Sequence, residues 1–390
     1  MTIYKDIKSR VSQSRVIMGG IVLALIMTGI PSRAQTIING VGLYNAPSTT
    51  VVSKQYSIRI KASNSTTWRP ASVLWSKLNN TYMDGPHEVN EKYYGNLWGC
   101  SHSYVNFEMS QSVDIEVTRI GGTILPSTKI YPENKVTNVN FSKNKVIFTM
   151  SRPCNVAVDI NGEMGTRSQS ANQGPAQPIV HTLSVHGNPV LENKPQLTDA
   201  SVLEITAGTK PTAAQLETFR TSTTLRTMYF KPGAHTIGPN FKVYPNKNYY
   251  IPGDAIVYGT LNNMDSTSQS DPPANLGSAE NMRIFGHGTL SAQGIPHWEL
   301  QQVELDKVYD GSNLVTVTQA DKDSNPTNAK YAEQQRISYR RTAIDLSYCR
   351  NTKIQGIVIA DPANHAMRLF TQDLHSSQPN DVSWVMACQL

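Results

Sequence analysis

Residues 250–261 read YIPGDAIVYGTL, residues 281–290 read NMRIFGHGTL and residues 351–360 read NTKIQGIVIA. Each is a few β-forming residues, a glycine, and a second short apolar run. Tyr229-Phe230, Ile256-Val257, Ile284-Phe285, Ile354, and Val382 with Trp384 read as equivalent strands, the first three just under thirty residues apart. A unit recurring at this size marks a solenoid: one unit has no core of its own and buries its inward side chains only by stacking on the next. With Gly or Asn where the backbone turns between sheets, the expected unit is one coil of a right-handed parallel β-helix over residues 191–390.

Two stretches break the period, 262–280 and roughly 299–340. Both are polar and are read as loops thrown out from turns, where such loops line a groove. One helix is expected, at PTAAQLETFRTS (211–222), with Pro near its start where a missing N–H costs little.

Working toward the N-terminus, the pattern changes. YSIRIKA (56–62), SVDIEVTRI (112–120), KVTNVNF (135–141), KVIFTMS (145–151) and NVAVDINGE (155–163) alternate polar and apolar with period two. Short half-buried strands separated by Asn, Gly, Pro and Ser predict a β-sandwich over residues 35–190. MGTRSQSANQGPAQP (164–178) is poor in apolar residues and reads as a surface loop. The fold class expected is therefore all-β, a sandwich followed by a β-helix.

Residues 1–34 are excluded from the fold. Lys5, Lys8, Arg10 and Arg15 precede an apolar run from Val16 to Ile30, and Ser32-Arg33-Ala34 supplies a cleavage site, the pattern of a secretory signal peptide. The apolar run, with three glycines in it, falls short of the roughly 20 residues that span a bilayer. Losing this segment removes five of the 35 basic residues and one of the 29 acidic ones, lowering the net charge from +6 to +2. The basicity belongs to targeting, so neither nucleic acid nor, after cleavage, a membrane is expected as partner. The location expected is extracellular or periplasmic.

Cys100, Cys154, Cys349 and Cys388 are too sparse for a disulfide framework, and three pairings are open. Cys100 with Cys154 is the first to test, since both fall in one expected domain; free thiols are the other reading. Sequons at Asn64, Asn79 and Asn140 matter only in a eukaryotic host. No cofactor or metal is expected. HEVNE (87–91) has Glu91 where a zinc helix needs its second His, and in DKDSNPTNAKYAE (321–333) Pro326 replaces the Gly of a calcium loop. There is neither a phosphate loop nor a G-x-S-x-G elbow.

The order YFKPGAHTIGPNFKV, NYYIPGDAIVYGTL, NMRIFGHGTLS, CRNTKIQGIVIADPANHAMRL resembles the β-helix of glycoside hydrolase family 49, the dextranase and isopullulanase family. SVDIEVTRIGGTILPSTKIYPE and KVIFTMSRPCNVAVDINGE resemble that family's N-terminal sandwich, so the likeness runs from Thr36 to Leu390. The resemblance implies a secreted polysaccharide hydrolase acting on an α-glucan such as dextran, at α-1,6 linkages, with inversion. Inversion uses a carboxylic acid and a carboxylate about 6.5–9.5 Å apart, with water between them.

In the resembled family those aspartates follow the GIVIADPANHAMRL coil. This sequence has no Asp-Asp pair, and Asp345, Asp361, Asp373 and Asp381 precede the expected position, where turn or loop roles are the better reading. No catalytic residue is assigned, and the 390 residues are expected to be a fragment without turnover. His287, in GHG (286–288), is read as a turn residue. His365, after the Pro turn in DPANHAMRL, is the candidate for lining a sugar groove. Two other functions fit the same fold: a non-catalytic carbohydrate-binding or adhesive β-helix, and a pectin-degrading hydrolase or lyase.

Overall fold

A computed structural model describes residues 37–48, 51–77, 101–162, 182–263, 278–293, 307–310, 313–316, 342–362, 366–370 and 383–388. All lie in the unit Gln35–Leu390. Strands dominate, and among the described residues no helix is long and apolar enough to cross a membrane.

Two sheets come from the first half. A five-stranded antiparallel sheet contains Tyr56–Ala62, Val113–Arg119 and Lys145–Met150. A seven-stranded sheet contains Ser101–Met109, Cys154–Asp159 and Thr182–Pro189, with one parallel pair, His102 to Met109 against Thr182 to Pro189. Period-two alternation decides what each face does: Ile58, Ile60, Ile115 and Phe148 from one sheet and Val105, Phe107, Val158 and Val185 from the other fill a single core. On the outer face of the five-stranded sheet, Arg59 and Lys145 pair with Glu116, and Lys61 pairs with Asp114.

The second half is built by parallel pairing. Thr227–Phe230 pairs with Asn248–Ile251, that with Arg283–Gly286, that with Lys353–Ala360, and that with Ser383–Cys388. Tyr229, Tyr250, Phe285, Gln355 and Val385 thus form one column, and Met228, Tyr249, Ile284, Ile354 and Trp384 the next. Met228, Tyr249, Ile284 and Ile354 lie in a second core drawn from Ile205 to Ile359.

This register corrects one expected equivalence. Ile256-Val257 does not stack on Tyr229-Phe230; Ala255–Asn262 pairs instead with Gly233–Lys242 and with Thr289–Ser291. One rung carries strands on more than one face, each apolar and each followed by Gly, so composition alone could not assign a strand to its face. The two long polar stretches are corrected in part too. The first ends in a short strand, Ala279–Glu280, and the second contains an antiparallel pair, Lys307–Asp310 with Asn313–Thr316.

The turns show why Asn recurs. Asn246, Asn281 and Asn351 have φ of 60°, 49° and 49°, the left-handed region that Asn tolerates. Asn281 Nδ2 donates to Asn246 Oδ1 at 3.0 Å and Asn351 Nδ2 to Asn281 Oδ1 at 2.9 Å, while the backbone N–H of Asn246 reaches Glu280 O at 2.8 Å. Each rung lends its turn a hydrogen bond from the next.

The expected helix is Ala213–Thr221, starting after Pro211. Thr212 caps it and forms a reciprocal capping box with Gln215. Only Phe219 is buried along it, edge-on to Tyr249 at 6.0 Å, so the helix closes the first rungs with one aromatic plug. Lys247 Nζ donates to Ser222 O and Leu225 O at 2.8 and 2.6 Å, satisfying carbonyls past the helix end and favouring its dipole.

Candidate functional site

Polar side chains are expected on the outside of the rungs, and one column there is rich in them. The register places Lys242, Asn262, Asp345 and Arg368 side by side on successive strands. Ile344 and Leu346 point into the core, so the pleat turns Asp345 and Ser347 outward. Asn262 Nδ2 donates to Asn240 Oδ1 at 3.3 Å. Asn263 and Ser347 are joined twice, at 2.8 Å each, through the Asn263 amide and the Ser347 backbone.

Asp345 was expected in a turn or loop. It stands instead in the strand Ile344–Ser347, with its side chain 1% exposed. Arg368 grips it with both ends of the guanidinium, Nε to Oδ1 at 2.9 Å and Nη2 to Oδ2 at 2.5 Å. A fork of this kind is the strongest geometry for a carboxylate, and it occupies both oxygens. Asp345 is thereby a poor proton donor or water activator. Arg368, at 29%, is the member of the pair that reaches solvent.

Asp361 takes the turn conformation expected of it, at φ 50°. Its buried carboxyl accepts from Ser76 and from Ser291, the latter at 2.9 Å. Burial pushes its pKa up, and the two hydroxyls oppose that rise. Asp373, Asp381 and His365 lie outside the described residues; His365 falls just before the strand Met367–Phe370 that carries Arg368.

A second polar cluster lies where the seven-stranded sheet meets the rungs. His287, between Gly286 and Gly288, is 3% exposed. Its Nδ1 is 3.1 Å from Glu108 Oε1 and 2.7 Å from the Tyr44 hydroxyl. Glu108 also accepts from Lys194 Nζ at 2.9 Å and from the Leu191 N–H at 3.2 Å. Burial alone would raise the Glu108 carboxyl, but the bonds from His287 and Lys194 outweigh it and hold the pKa down at about 2. A proton beside this carboxylate belongs on Nδ1, so His287 donates to Glu108. The Asn106 amide donates to His287 O.

Sequence reasoning missed this cluster, although a signal was present. SHSYVNFEM (101–109) alternates small or apolar residues with His102, Tyr104, Asn106 and Glu108. A face of large polar residues on a strand whose other face is core marks a second, drier contact. Of the four cysteines, Cys154 and Cys349 have free thiols, while Cys100, the partner expected for Cys154, lies outside the described residues. Among the described residues no cluster of His, Cys, Asp or Glu could hold a metal ion.

No family model matches the sequence, and no curated protein does. Among solved structures, Dex49A from Penicillium minioluteum shares the fold. The match has a TM-score of 0.56 at 14% identity and covers 90% of this chain and 63% of that one. This chain therefore spans less than two thirds of the length of Dex49A.

Proposed function

We propose that the chain is a secreted polysaccharide-acting protein of the glycoside hydrolase family 49 type. In this reading residues 1–34 are a signal peptide, 35–190 a β-sandwich and 191–390 a right-handed parallel β-helix. Its ligand is an α-glucan such as dextran. The carrying observation is the parallel register of the rungs together with the fold likeness to Dex49A, a family 49 dextranase.

We further propose that these 390 residues bind glucan without cleaving it. Hydrolysis with inversion needs one carboxyl able to give a proton and one able to activate water. Asp345 is held by Arg368 and Asp361 by two serines, and the sequence contains no Asp-Asp pair. What reaches solvent in this column is Lys242 and the stem and head of Arg368, whose charge Asp345 offsets, while Asn262, Asn263 and Ser347 are buried behind them. The fold likeness to Dex49A, rather than the charge of this column, places the pectin-degrading alternative second. His365, beside this column in sequence, is the residue we assign to the sugar.

Affinity electrophoresis in gels containing dextran, pullulan or polygalacturonate, paired with a reducing-sugar assay, tests both parts. Retardation by dextran or pullulan without sugar release is expected. Retardation by polygalacturonate alone refutes the glucan assignment, and sugar release from either glucan refutes the lack of turnover.

A further inference from the structure

The seam between the seven-stranded sheet and the rungs holds a group that the proposed function does not use. His186 lies on Thr182–Pro189, on the side facing the rungs, and is 4% exposed. Neither of its ring nitrogens has a hydrogen-bond partner. Its neighbours are already engaged. The Tyr104 ring, 6.5 Å away, bonds Thr289 at 2.9 Å; Ser184 bonds His102 at 2.9 Å; Asn188 donates to Asn106.

We propose that this seam is an acid-released latch: a proton on His186 places an unpaired charge between the two layers and parts the sheet from the rungs, while each layer keeps its own core.

The groups around the seam set the direction of the effect. His102, Tyr104 and Glu108 face it from Ser101–Met109, Tyr44 and Lys194 from the flanking segments, and His287, Tyr258, Asp254 and Asp361 from the rungs. None of them supplies a charge that acts on His186. Burial is the only influence there, and it lowers the pKa from 6.5 to about 4. A base depressed in this way contributes stability that is full above 6.5 and is lost as pH falls toward about 4. Glu108, held at about 2, gives way later, below its ordinary 4.5. Asp254 and Asp361 act in the opposite sense, because burial raises both and acid converts them to the form a dry interior prefers. Of the two groups here whose pKa is lowered, His186 therefore loses stability at the milder pH.

Opening at the seam, rather than unfolding, follows from where the apolar packing lies. Each layer closes a large core on itself, whereas among the described residues the apolar cluster bridging them is small, with Val51, Leu74, Tyr104, Ile256 and Val358 buried and Ala46, Ala234 and Tyr258 partly buried. The other bridging contacts are polar, among them Tyr104 with Thr289 and Ser76 with Asp361. Residues 190–201 keep the parted layers tethered.

Small-angle scattering and far-ultraviolet circular dichroism of the 390-residue protein, titrated from about pH 7 to about 3.5, test this latch. The radius of gyration is expected to rise between about pH 6 and 4 while the β-sheet signal holds. His186→Leu should move that midpoint down by about one pH unit, and Thr289→Ala, which weakens the seam elsewhere, should move it up. If the Leu variant fails to fold, His186→Gln keeps the polarity without the titration and is expected to show the same downward shift. The latch is overturned by constant dimensions down to about pH 3.5, by scattering and dichroism changing together, or by a midpoint that the His186 variant leaves in place.

Discussion

Gly286→Ala is the substitution that loads the stack most directly. Gly286 ends the strand Arg283–Gly286 at φ +127°, which side chains with a Cβ rarely adopt. A Cβ there would sit 1.9 Å from Ile251 O and 2.6 Å from Ile251 C, backbone atoms of the neighbouring rung. That oxygen already accepts from the Gly288 N–H at 2.9 Å. The φ strain costs about 1–3 kcal/mol, and displacing a buried carbonyl from its donor adds about 1–3 kcal/mol. A total near 4 kcal/mol is a large part of the stability of an ordinary domain. Gly208→Ala is the control: its φ of +76° is also left-handed, but nothing lies within 4 Å of the new Cβ. That change should cost only about 1–2 kcal/mol. Urea unfolding followed by dichroism compares them, and equal losses for the two variants would refute the close approach of successive rungs.

The other predictions use the same assay. Phe219→Ala, which empties the plug over Tyr249, should cost about 3–5 kcal/mol; a loss below about 1 kcal/mol would mean the helix does not close the rungs. Glu108→Gln removes a carboxylate shifted from 4.5 to about 2. Its contribution, about 3 kcal/mol, is full above pH 4.5 and fades as pH falls to about 2. Wild type and variant should therefore differ most at neutral pH and converge in acid; a constant gap contradicts the ion pairing. Asp345→Asn leaves Arg368 without its carboxylate and should cost about 2–4 kcal/mol, much of which Arg368→Met in the same chain should restore. Additive single losses in that cycle would show the pair to be uncoupled.

What could be read from the residues was the alternation and the recurrence. Ile58, Ile60, Ile115 and Phe148 announced a half-buried sheet because side chains on a strand change face at every step. Pro211 placed the helix within two residues of its observed start at Ala213. The face to which a rung strand belongs was not legible. Tyr250 and Ile256 sit six residues apart in equally apolar, Gly-punctuated surroundings, and only the turn at Pro252-Gly253 separates their strands, which pair with different partners. The Asp345–Arg368 pair was hidden for another reason: its partners are 23 residues apart, joined by register rather than by motif. Glu108, His287 and Lys194 meet only because the two layers pack together, which no local pattern encodes.

One measurement bears on the stacking directly. In a chain with its four native cysteines changed to Ser, Asn246→Cys and Asn281→Cys occupy turns of neighbouring rungs, with Cα atoms about 5 Å apart. Asn246→Cys and Asn351→Cys stand two rungs apart, at about 10 Å, past the reach of a disulfide. Mild oxidation should close the first pair within the monomer and leave the second open. Closure of the second pair with the first remaining reduced would contradict the parallel register on which the fold and the proposed glucan site both stand.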